Sequence, residues 1–310
     1  MGLLTRWTPG LGLRASIGAR LMSAQRFYRF SDWVHFLGFT SLGIVFSTRS
    51  GALDLLHVFE VVVSSSLLLA FAYSFNVLCD SELESSVRLS REVRISHHSR
   101  GLLLSFFPAA VALLLVSWSK ETVLLGFLVL VLWALYSSPH PRLKAIPVLC
   151  TITNGVGFSL LFLMGYTAVA PLSAPALFFF CALVLLEIPG QLIHEVTHAQ
   201  GDTLLGDKTT AVQCGVKRSL EGAVQSLAGA IVLLAVMLIQ GIINTGTALS
   251  AGSFAGVFAL ALLKERTHLI QEERPLGMTD IARFRSLRVK YKYGGIVAGV
   301  LLTLALVWIQ

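Results

Sequence analysis

The 310-residue chain is 55% hydrophobic and only 13% charged, whereas a typical soluble domain carries about 25% charged residues. Many of its apolar runs are long enough to cross a bilayer, so the composition excludes an ordinary soluble domain and indicates a polytopic membrane protein. The net charge of +7 does not indicate nucleic-acid binding, because the basic residues lie in short gaps between apolar runs. That placement favours loops, inner-leaflet lipids and anionic substrates.

Residues 1–31 form a basic N-terminal arm without a single acidic side chain. It carries the five arginines Arg6, Arg14, Arg20, Arg26 and Arg29. A transit peptide and a basic cytoplasmic arm share this composition. The sequence therefore predicts a multi-pass protein of a bacterial or archaeal cell membrane, or of an organellar membrane if the arm is a transit peptide.

Residues 32–310 are predicted to form a single transmembrane domain, an all-α bundle of about nine membrane-spanning helices. The apolar segments run over 32–48, 54–79, 101–118, 122–137, 146–170, 174–196, 220–243, 246–263 and 292–309. With nine crossings, 22 of the 24 basic residues fall on one side, and only Arg49 and Lys120 remain for the other. Because positive loops stay in the cytoplasm, we predict a cytoplasmic N-terminus.

The second apolar segment ends in a column of polar side chains. Asn76, Asp80 and Glu84 are spaced at i, i+4 and i+8, which places them on one face if the helix continues, with about 5–6 Å between successive Cβ atoms. Three oxygen ligands in a column suit Mg²⁺, which takes its other ligands from water and phosphate. The alternative is a polar helix terminus without a metal.

A second polar cluster, Glu195, His198 and Asp202, ends the sixth segment, on the same predicted side of the membrane. Two acidic clusters beside cationic loops indicate a site where Mg²⁺ bridges carboxylates to a polyanion, while Arg or Lys neutralises the remaining charge. An apolar bundle below such a site could accommodate a long hydrocarbon tail. A lipid diphosphate meets both requirements.

Three motifs carry a resemblance to a known family. The second segment ends in NVLCDSELE, the fourth is followed by YSSPHPRLKAIP, and the sixth runs through EVTHAQGD into GDKTTAVQCG. In this order and at these helix boundaries, the chain resembles the UbiA superfamily of intramembrane prenyltransferases over most of its length. The resemblance implies a Mg²⁺-dependent transfer of a polyprenyl group from its diphosphate to an aromatic or lipid-soluble acceptor.

The resemblance also implies roles for individual residues. It implies one Mg²⁺ on Asn76, Asp80 and Glu84, a second on Glu195 and Asp202, and diphosphate contacts from Arg142, Lys144 and Lys208 with Tyr136 nearby. The chain departs from the family pattern at Val77 and at His198, where the family usually has carboxylates. His198 offers a nitrogen that matches Mg²⁺ poorly, so it is expected to be a hydrogen-bond donor or a base.

Four further candidate residues have either a role in the site or a purely structural or lipid-binding role. Arg88 and Arg91, one to two turns beyond Glu84, would contact the diphosphate or the inner-leaflet lipids. Asn154 and Glu187 would line the acceptor or prenyl pocket, or bond a neighbouring helix. The basic run over residues 283–292 is interpreted as a lipid-facing anchor outside the site.

Two other functions compete with prenyl transfer. In a membrane terpene cyclase of the same fold, the substrate's own double bonds would capture the cation. A transporter or non-catalytic membrane protein would more often place charges and broken helices near mid-membrane, whereas these charges concentrate at the segment ends. We therefore expect an enzyme with Asp80, Asp202 and His198 as its catalytic residues, with Mg²⁺, a polyprenyl diphosphate, a lipophilic acceptor and the bilayer as partners, and without nucleic acid.

Overall fold

The structure is a computed structural model that describes residue 25 and residues 27–48, 53–87, 98–272 and 277–307. These residues contain no strand, and nine of their helices have eleven or more residues. The nine are α1 (Leu37–Ser47), α2 (Leu55–Val87), α3 (His98–Leu115), α4 (Lys120–Ser137), α5 (Leu149–Thr167), α6 (Ala174–Leu205), α7 (Val216–Ile239), α8 (Thr245–Glu272) and α9 (Met278–Val307). The all-α fold is confirmed.

Each of the nine predicted segments overlaps one of these helices. Within the described ranges, seven helices are long and apolar enough to cross a membrane, and a shorter apolar stretch occupies 101–115 of α3. The first segment is interrupted, because a one-turn helix (Phe30–Trp33) and a 3-10 turn (Val34–Phe36) precede the short α1. The chain is thus a multi-pass integral membrane protein, and its orientation stays a prediction.

Four helices extend well beyond the predicted apolar spans at their charged ends. α2 continues through the polar column to Val87, α6 to Leu205 and α8 to Glu272, and α9 begins at Met278 instead of near residue 292. α6 stops where Gly206 adopts a left-handed conformation with φ of 78°, a conformation that glycine adopts without steric cost. Charged residues end the apolar pattern but not the helix, because at the membrane surface their side chains reach water.

Two glycines bring α1 and α5 into backbone contact. A Cβ atom added to Gly43 would lie 1.9 Å from the carbonyl oxygen of Phe162, and one added to Gly165 would lie 2.1 Å from that of Thr40. In lipid, helices associate largely through close packing, and small residues permit such an approach. The first helix is therefore fixed directly against α5.

Helix α6 contains Pro189, which leaves backbone carbonyls without their usual intrahelical partners. The hydroxyl of Ser226 on α7 donates to the Leu185 carbonyl at 2.7 Å, and the hydroxyl of Tyr291 on α9 donates to the Leu186 carbonyl. Neighbouring helices thus satisfy the carbonyls one turn before the proline. They also hold α6 in place just before the segment that carries the second polar cluster.

The buried apolar side chains form two clusters, and α6 belongs to both. Phe179 and Leu183, in its first half, pack with α1, α2, α4 and α5. Ile193 and Val196, in its second half, pack with α7, α8 and α9. The polar end of α6 consequently lies at the junction of the two halves of the bundle.

Candidate functional site

Asp80 on α2 is contacted by the loop that joins α4 to α5. The Lys144 ammonium donates to Asp80 Oδ1, and Arg142 Nη2 lies 3.5 Å from the same oxygen. The loop turns sharply here, with Arg142 in a left-handed conformation (φ 51°) ahead of the 3-10 turn Leu143–Ala145. The first acidic motif and the basic loop motif therefore meet at one point.

Arg142 also connects this point to the segment that follows α6. Its Nε and Nη2 atoms donate to the two carboxylate oxygens of Asp207, each at 3.0 Å. Only 12% of the Arg142 side chain and 10% of the Asp207 side chain are exposed. Burial by itself lowers the pKa of the guanidinium, but Asp207 and Asp80 more than offset this and hold the pKa above its usual value. Arg142 is a permanent cation shared by two carboxylates.

The Glu195 carboxylate is buried, and both of its oxygens accept hydrogen bonds. Its Oε1 accepts from the hydroxyl of Thr151 at 2.7 Å and from the thiol of Cys150 at 3.4 Å, while Oε2 accepts from the Ala211 amide at 3.3 Å. In addition, Thr151 and Thr210 form a hydroxyl pair at 2.8 Å. Glu195 thus joins α5 to the short helix Thr210–Cys214, and its predicted role as a metal ligand stays a prediction.

Asp202 lies close to both Glu195 and Asp207. Its Oδ2 accepts a hydrogen bond from Thr209 at 3.3 Å, and it interacts electrostatically with Asp207, Glu195 and Lys144. Because Lys144 also bonds Asp80, one ammonium group acts on both acidic clusters. The geometry thus brings the polar ends of α2 and α6 together, as the sequence predicts. We refer to Asp80, Arg142, Lys144, Asp202 and Asp207 as the polar centre.

The remaining predicted residues near the site are Asn76, Tyr136, Asn154 and Lys208. Asn76 donates to Ser137 at 3.1 Å, which joins α2 to the end of α4. The Tyr136 hydroxyl lies near the Asn154 side chain and within the electrostatic field of Glu195 and Asp80. Lys208 is exposed and makes no hydrogen bond or ion pair within the part of the chain that the structure describes.

His198 and Glu187 lie on a different arc of α6 from Glu195 and Asp202. The His198 ring contacts the His194 ring, with their centroids 4.5 Å apart. Glu187 lies deeper, near Tyr73 and Tyr291, and within the described segments it has no hydrogen-bond partner. Arg88 and Arg91 lie outside the described residues, and so does the side chain of Glu84.

The oxygen-bearing side chains of the site could bind Mg²⁺ if the protein supplied only a few of its ligands. No three Asp, Glu, His or Cys side chains among the described residues are grouped so that they could hold a metal ion. Mg²⁺, however, is usually bound by one or two carboxylates and completes its octahedron with water and substrate phosphate. Asp80 with Asn76 on α2, and Asp202 on α6, offer oxygen ligands of this kind.

The comparisons with known proteins agree with this fold. The model of the UbiA prenyltransferase family matches residues 36–275. No curated protein matches the chain significantly. Among solved structures, a UbiA homolog from Archaeoglobus fulgidus bound to DMAPP and Mg²⁺ is 19% identical, with a TM-score of 0.64 over 90% of this chain and 98% of its own.

Two further structures share the fold. An apo UbiA homolog from Aeropyrum pernix K1 is 15% identical, with a TM-score of 0.66 over 89% of this chain and 98% of its own. A digeranylgeranylglyceryl phosphate synthase is 14% identical, with a TM-score of 0.70 over 94% of this chain and 99% of its own. The fold and the family match are those of a prenyltransferase-type membrane enzyme. The chain belongs to the UbiA prenyltransferase family.

Sequence reasoning missed Asp207, the main partner of Arg142. The signal was present, because Asp207 follows the helix-ending Gly206 and lies in the quoted GDKTTAVQCG segment. It also missed Cys150, Thr151 and Thr210, which surround Glu195. Small uncharged side chains of this kind give no signal in a search for charged motifs.

Proposed function

We propose that this membrane enzyme transfers a polyprenyl group from its diphosphate to an aromatic or lipid-soluble acceptor, with Mg²⁺ as its metal. Family membership supports a prenyltransferase-type activity. One solved homolog binds DMAPP and Mg²⁺, and another structure of the same homolog binds GPP and Mg²⁺. The chain's own residues at the polar centre carry the proposal further.

The observation that carries the proposal is the meeting of Lys144 and Arg142 with Asp80. Without substrate, these two cations neutralise the carboxylates of the centre. A diphosphate would offer the same cations several oxygen acceptors, and Arg142 presents a planar fork suited to phosphate. The basic loop can therefore exchange carboxylate contacts for phosphate contacts without a large change in charge.

Asn76, Asp80 and Glu84 on α2, and Asp202 with Glu195 on α6, would hold the metal. When bound, Mg²⁺ neutralises diphosphate charge and so makes diphosphate a better leaving group. Lys144 and Arg142 provide additional positive charge to the departing group, and Lys208 would join them. Tyr136, which lies near Asn154, would position the end of the substrate that points into the bundle.

Aromatic side chains from other segments surround Phe158, which lies one turn after Asn154 on α5. Phe158 stacks on Phe36 with ring centroids 3.6 Å apart, and the Trp133 ring lies 5.4 Å from Phe158. Aromatic faces contact a hydrocarbon chain well and attract a cation. They would accordingly line the path of the prenyl group and stabilise positive charge on its allylic carbon.

The test is to incubate the purified full-length protein with Mg²⁺ and prenyl diphosphates of several lengths, with and without acceptors. Diphosphate release is measured, and products are identified by mass. We expect release that depends on Mg²⁺ and a prenylated acceptor as product. Lys144→Gln should reduce release strongly, whereas Lys217→Gln, at an exposed lysine, should not.

Two results would contradict the proposal. Absence of any diphosphate release would exclude both transfer and cyclisation. A cyclic hydrocarbon or terpene alcohol, formed from prenyl diphosphate alone at a rate that acceptors do not change, would instead assign the protein as a terpene cyclase of this fold.

A further inference from the structure

The basic loop between α4 and α5 contains a strained residue just before α5 begins. Val148 has φ of 67° and ψ of −46°, and the Leu149 amide donates to the Pro147 carbonyl at 2.7 Å. This is the rare γ-turn with positive φ, which is costly for a β-branched residue and persists only where the surrounding structure holds it. Because 49% of the Val148 surface is exposed, packing of its own side chain does not explain the turn.

A hydrogen bond from another part of the chain holds this turn. The Val148 amide donates to the hydroxyl of Thr210 at 3.0 Å. Thr210 is buried and begins the short helix that follows α6. The strained backbone before α5 is therefore attached to a side chain 62 positions further along the sequence.

The hydroxyl of Thr210 is fully used, and the direction of its hydrogen bonds follows from its neighbours. The Glu195 carboxylate only accepts, so Thr151 donates its single hydroxyl proton to Oε1 of Glu195 at 2.7 Å. In the Thr151–Thr210 pair at 2.8 Å, Thr210 must then be the donor. A directed chain of three hydrogen bonds thus runs from the Val148 amide through two hydroxyls to Glu195, and the bonds of such a chain strengthen one another.

Backbone hydrogen bonds join the cations of the loop to the strained turn. The Ala145 amide donates to the Arg142 carbonyl at 2.9 Å, and the Cys150 amide donates to the Ile146 carbonyl at 3.0 Å. Little backbone freedom is left between the cations and the start of α5. A displacement of the turn would therefore also displace Arg142 and Lys144.

The segment after α6 holds the loop at two points. Arg142 bonds Asp207, and Val148 bonds Thr210, which is three residues further on. A loop held at one point can rotate about it, whereas a second point prevents the rotation. The contact with Asp80 is of another kind, because a diphosphate would replace it. The amide of Val148 takes no part in that exchange.

We propose that Thr210 is a positioning residue, whose hydroxyl keeps the basic loop in place while Arg142 and Lys144 exchange carboxylates for diphosphate. This inference rests on the proposed function and adds to it a residue that acts on the diphosphate only through the loop. Because the same hydroxyl donates to Thr151, it also couples the position of the loop to that of the Glu195 carboxylate.

The test removes the hydroxyl at nearly constant shape in the purified full-length protein. Thr210→Val is compared with Thr210→Ser, which keeps the hydroxyl. Deuterium exchange at the Val148 amide is followed by mass spectrometry, the dissociation constant of geranyl diphosphate with Mg²⁺ by thermal stabilisation, and its KM by diphosphate release. We expect Thr210→Val to raise the exchange rate, the dissociation constant and the KM about tenfold each, and Thr210→Ser to stay within about threefold of wild type.

The matched control is Thr167→Val. Thr167 also belongs to a buried hydroxyl pair, with Thr122 at 3.0 Å, and its exposed fraction of 7% is close to the 9% of Thr210. It lies at the other end of α5, about 28 Å along the helix from Val148. Thr167→Val should lower the melting temperature but change neither the exchange at Val148 nor the binding of geranyl diphosphate.

Four results would overturn the inference. They are unchanged exchange at Val148 in Thr210→Val, faster exchange with unchanged binding of geranyl diphosphate, equal impairment of Thr210→Ser and Thr210→Val, and equal weakening of binding by Thr167→Val.

The wild type alone decides if Thr210→Val does not fold. Its Val148 amide should stay protected from exchange when geranyl diphosphate and Mg²⁺ saturate the protein, and loss of protection would overturn the inference. Failure of the proposed function looks different. A wild type that neither binds nor turns over prenyl diphosphates would contradict both proposals, whereas failure of the inference alone leaves wild-type turnover intact.

Discussion

The strongest prediction concerns Asp207, which sequence reasoning missed. Asp207→Asn keeps the size of the side chain but removes the charge that faces Arg142. Asparagine has one carbonyl oxygen, so it can accept only one of the two hydrogen bonds that Arg142 donates at 3.0 Å. Its amide NH₂ would point toward the guanidinium and repel it.

The magnitude follows from the burial of the pair. A hydrogen bond to a charged group contributes about 1.5–3 kcal/mol, and Asp207→Asn removes one such bond and reduces the other to about 1 kcal/mol. Since both side chains are about nine-tenths buried, solvent screening reduces this little. We expect a loss of about 2–5 kcal/mol of stability. We also expect a higher KM for prenyl diphosphate, because Arg142 loses its alignment.

The assay is thermal unfolding of the purified variants in detergent, together with steady-state kinetics. Glu221→Gln is the matched control, since Glu221 pairs with Arg266 but 40% of its side chain is exposed. For an exposed pair we expect an effect of at most about 1 kcal/mol. Equal losses of thermal stability in the two variants would refute the reasoning that burial makes the Arg142–Asp207 pair strong.

Asp80→Asn should reduce diphosphate release about a hundredfold or more, and chelation of divalent metal should reduce release by the wild type similarly. When Mg²⁺ is restored, the chelated wild type should recover its activity and the variant should not. Gly165→Ala should destabilise the protein by about 1–3 kcal/mol and lower its melting temperature, because the added methyl group meets the Thr40 carbonyl. In the control Gly38→Ala, the added methyl group meets nothing within 4 Å, so the melting temperature should stay unchanged or rise. His198→Asp introduces the carboxylate that the resemblance to the family implies at this position, so it should leave diphosphate release intact or lower the Mg²⁺ concentration that release requires. A fall in release at saturating Mg²⁺ would contradict this and indicate that His198 acts as a base.

The helical segments and the acidic column could be predicted because both follow from local periodicity. Asn76 and Asp80 share a face of α2 because four residues complete about one turn, and the helix continues through them. The apolar pattern likewise located each of the nine long helices approximately. It missed the true ends of α6 and α9, because hydropathy follows the membrane boundary and not the hydrogen bonds of the helix.

The partners of the charged residues could not be predicted in the same way. Arg142 and Asp207 are 65 residues apart, and nothing local distinguishes Asp207 from Asp202 as the partner. His198 was expected among the acidic residues of its motif because it is close to them in sequence. In the structure its ring contacts His194 instead, because the direction that each arc of a helix faces is a tertiary property.

The hydrogen bonds around Pro189 have a consequence for how this sequence can diverge. With proline present, Ser226 supplies the donor that the Leu185 carbonyl lacks, so losing the serine first would leave a buried acceptor unsatisfied. If alanine replaced Pro189 first, its amide would serve that carbonyl, and the serine would become dispensable. The two positions are therefore expected to be epistatic, and an evolutionary path that begins at Pro189 should be open where the reverse order is not.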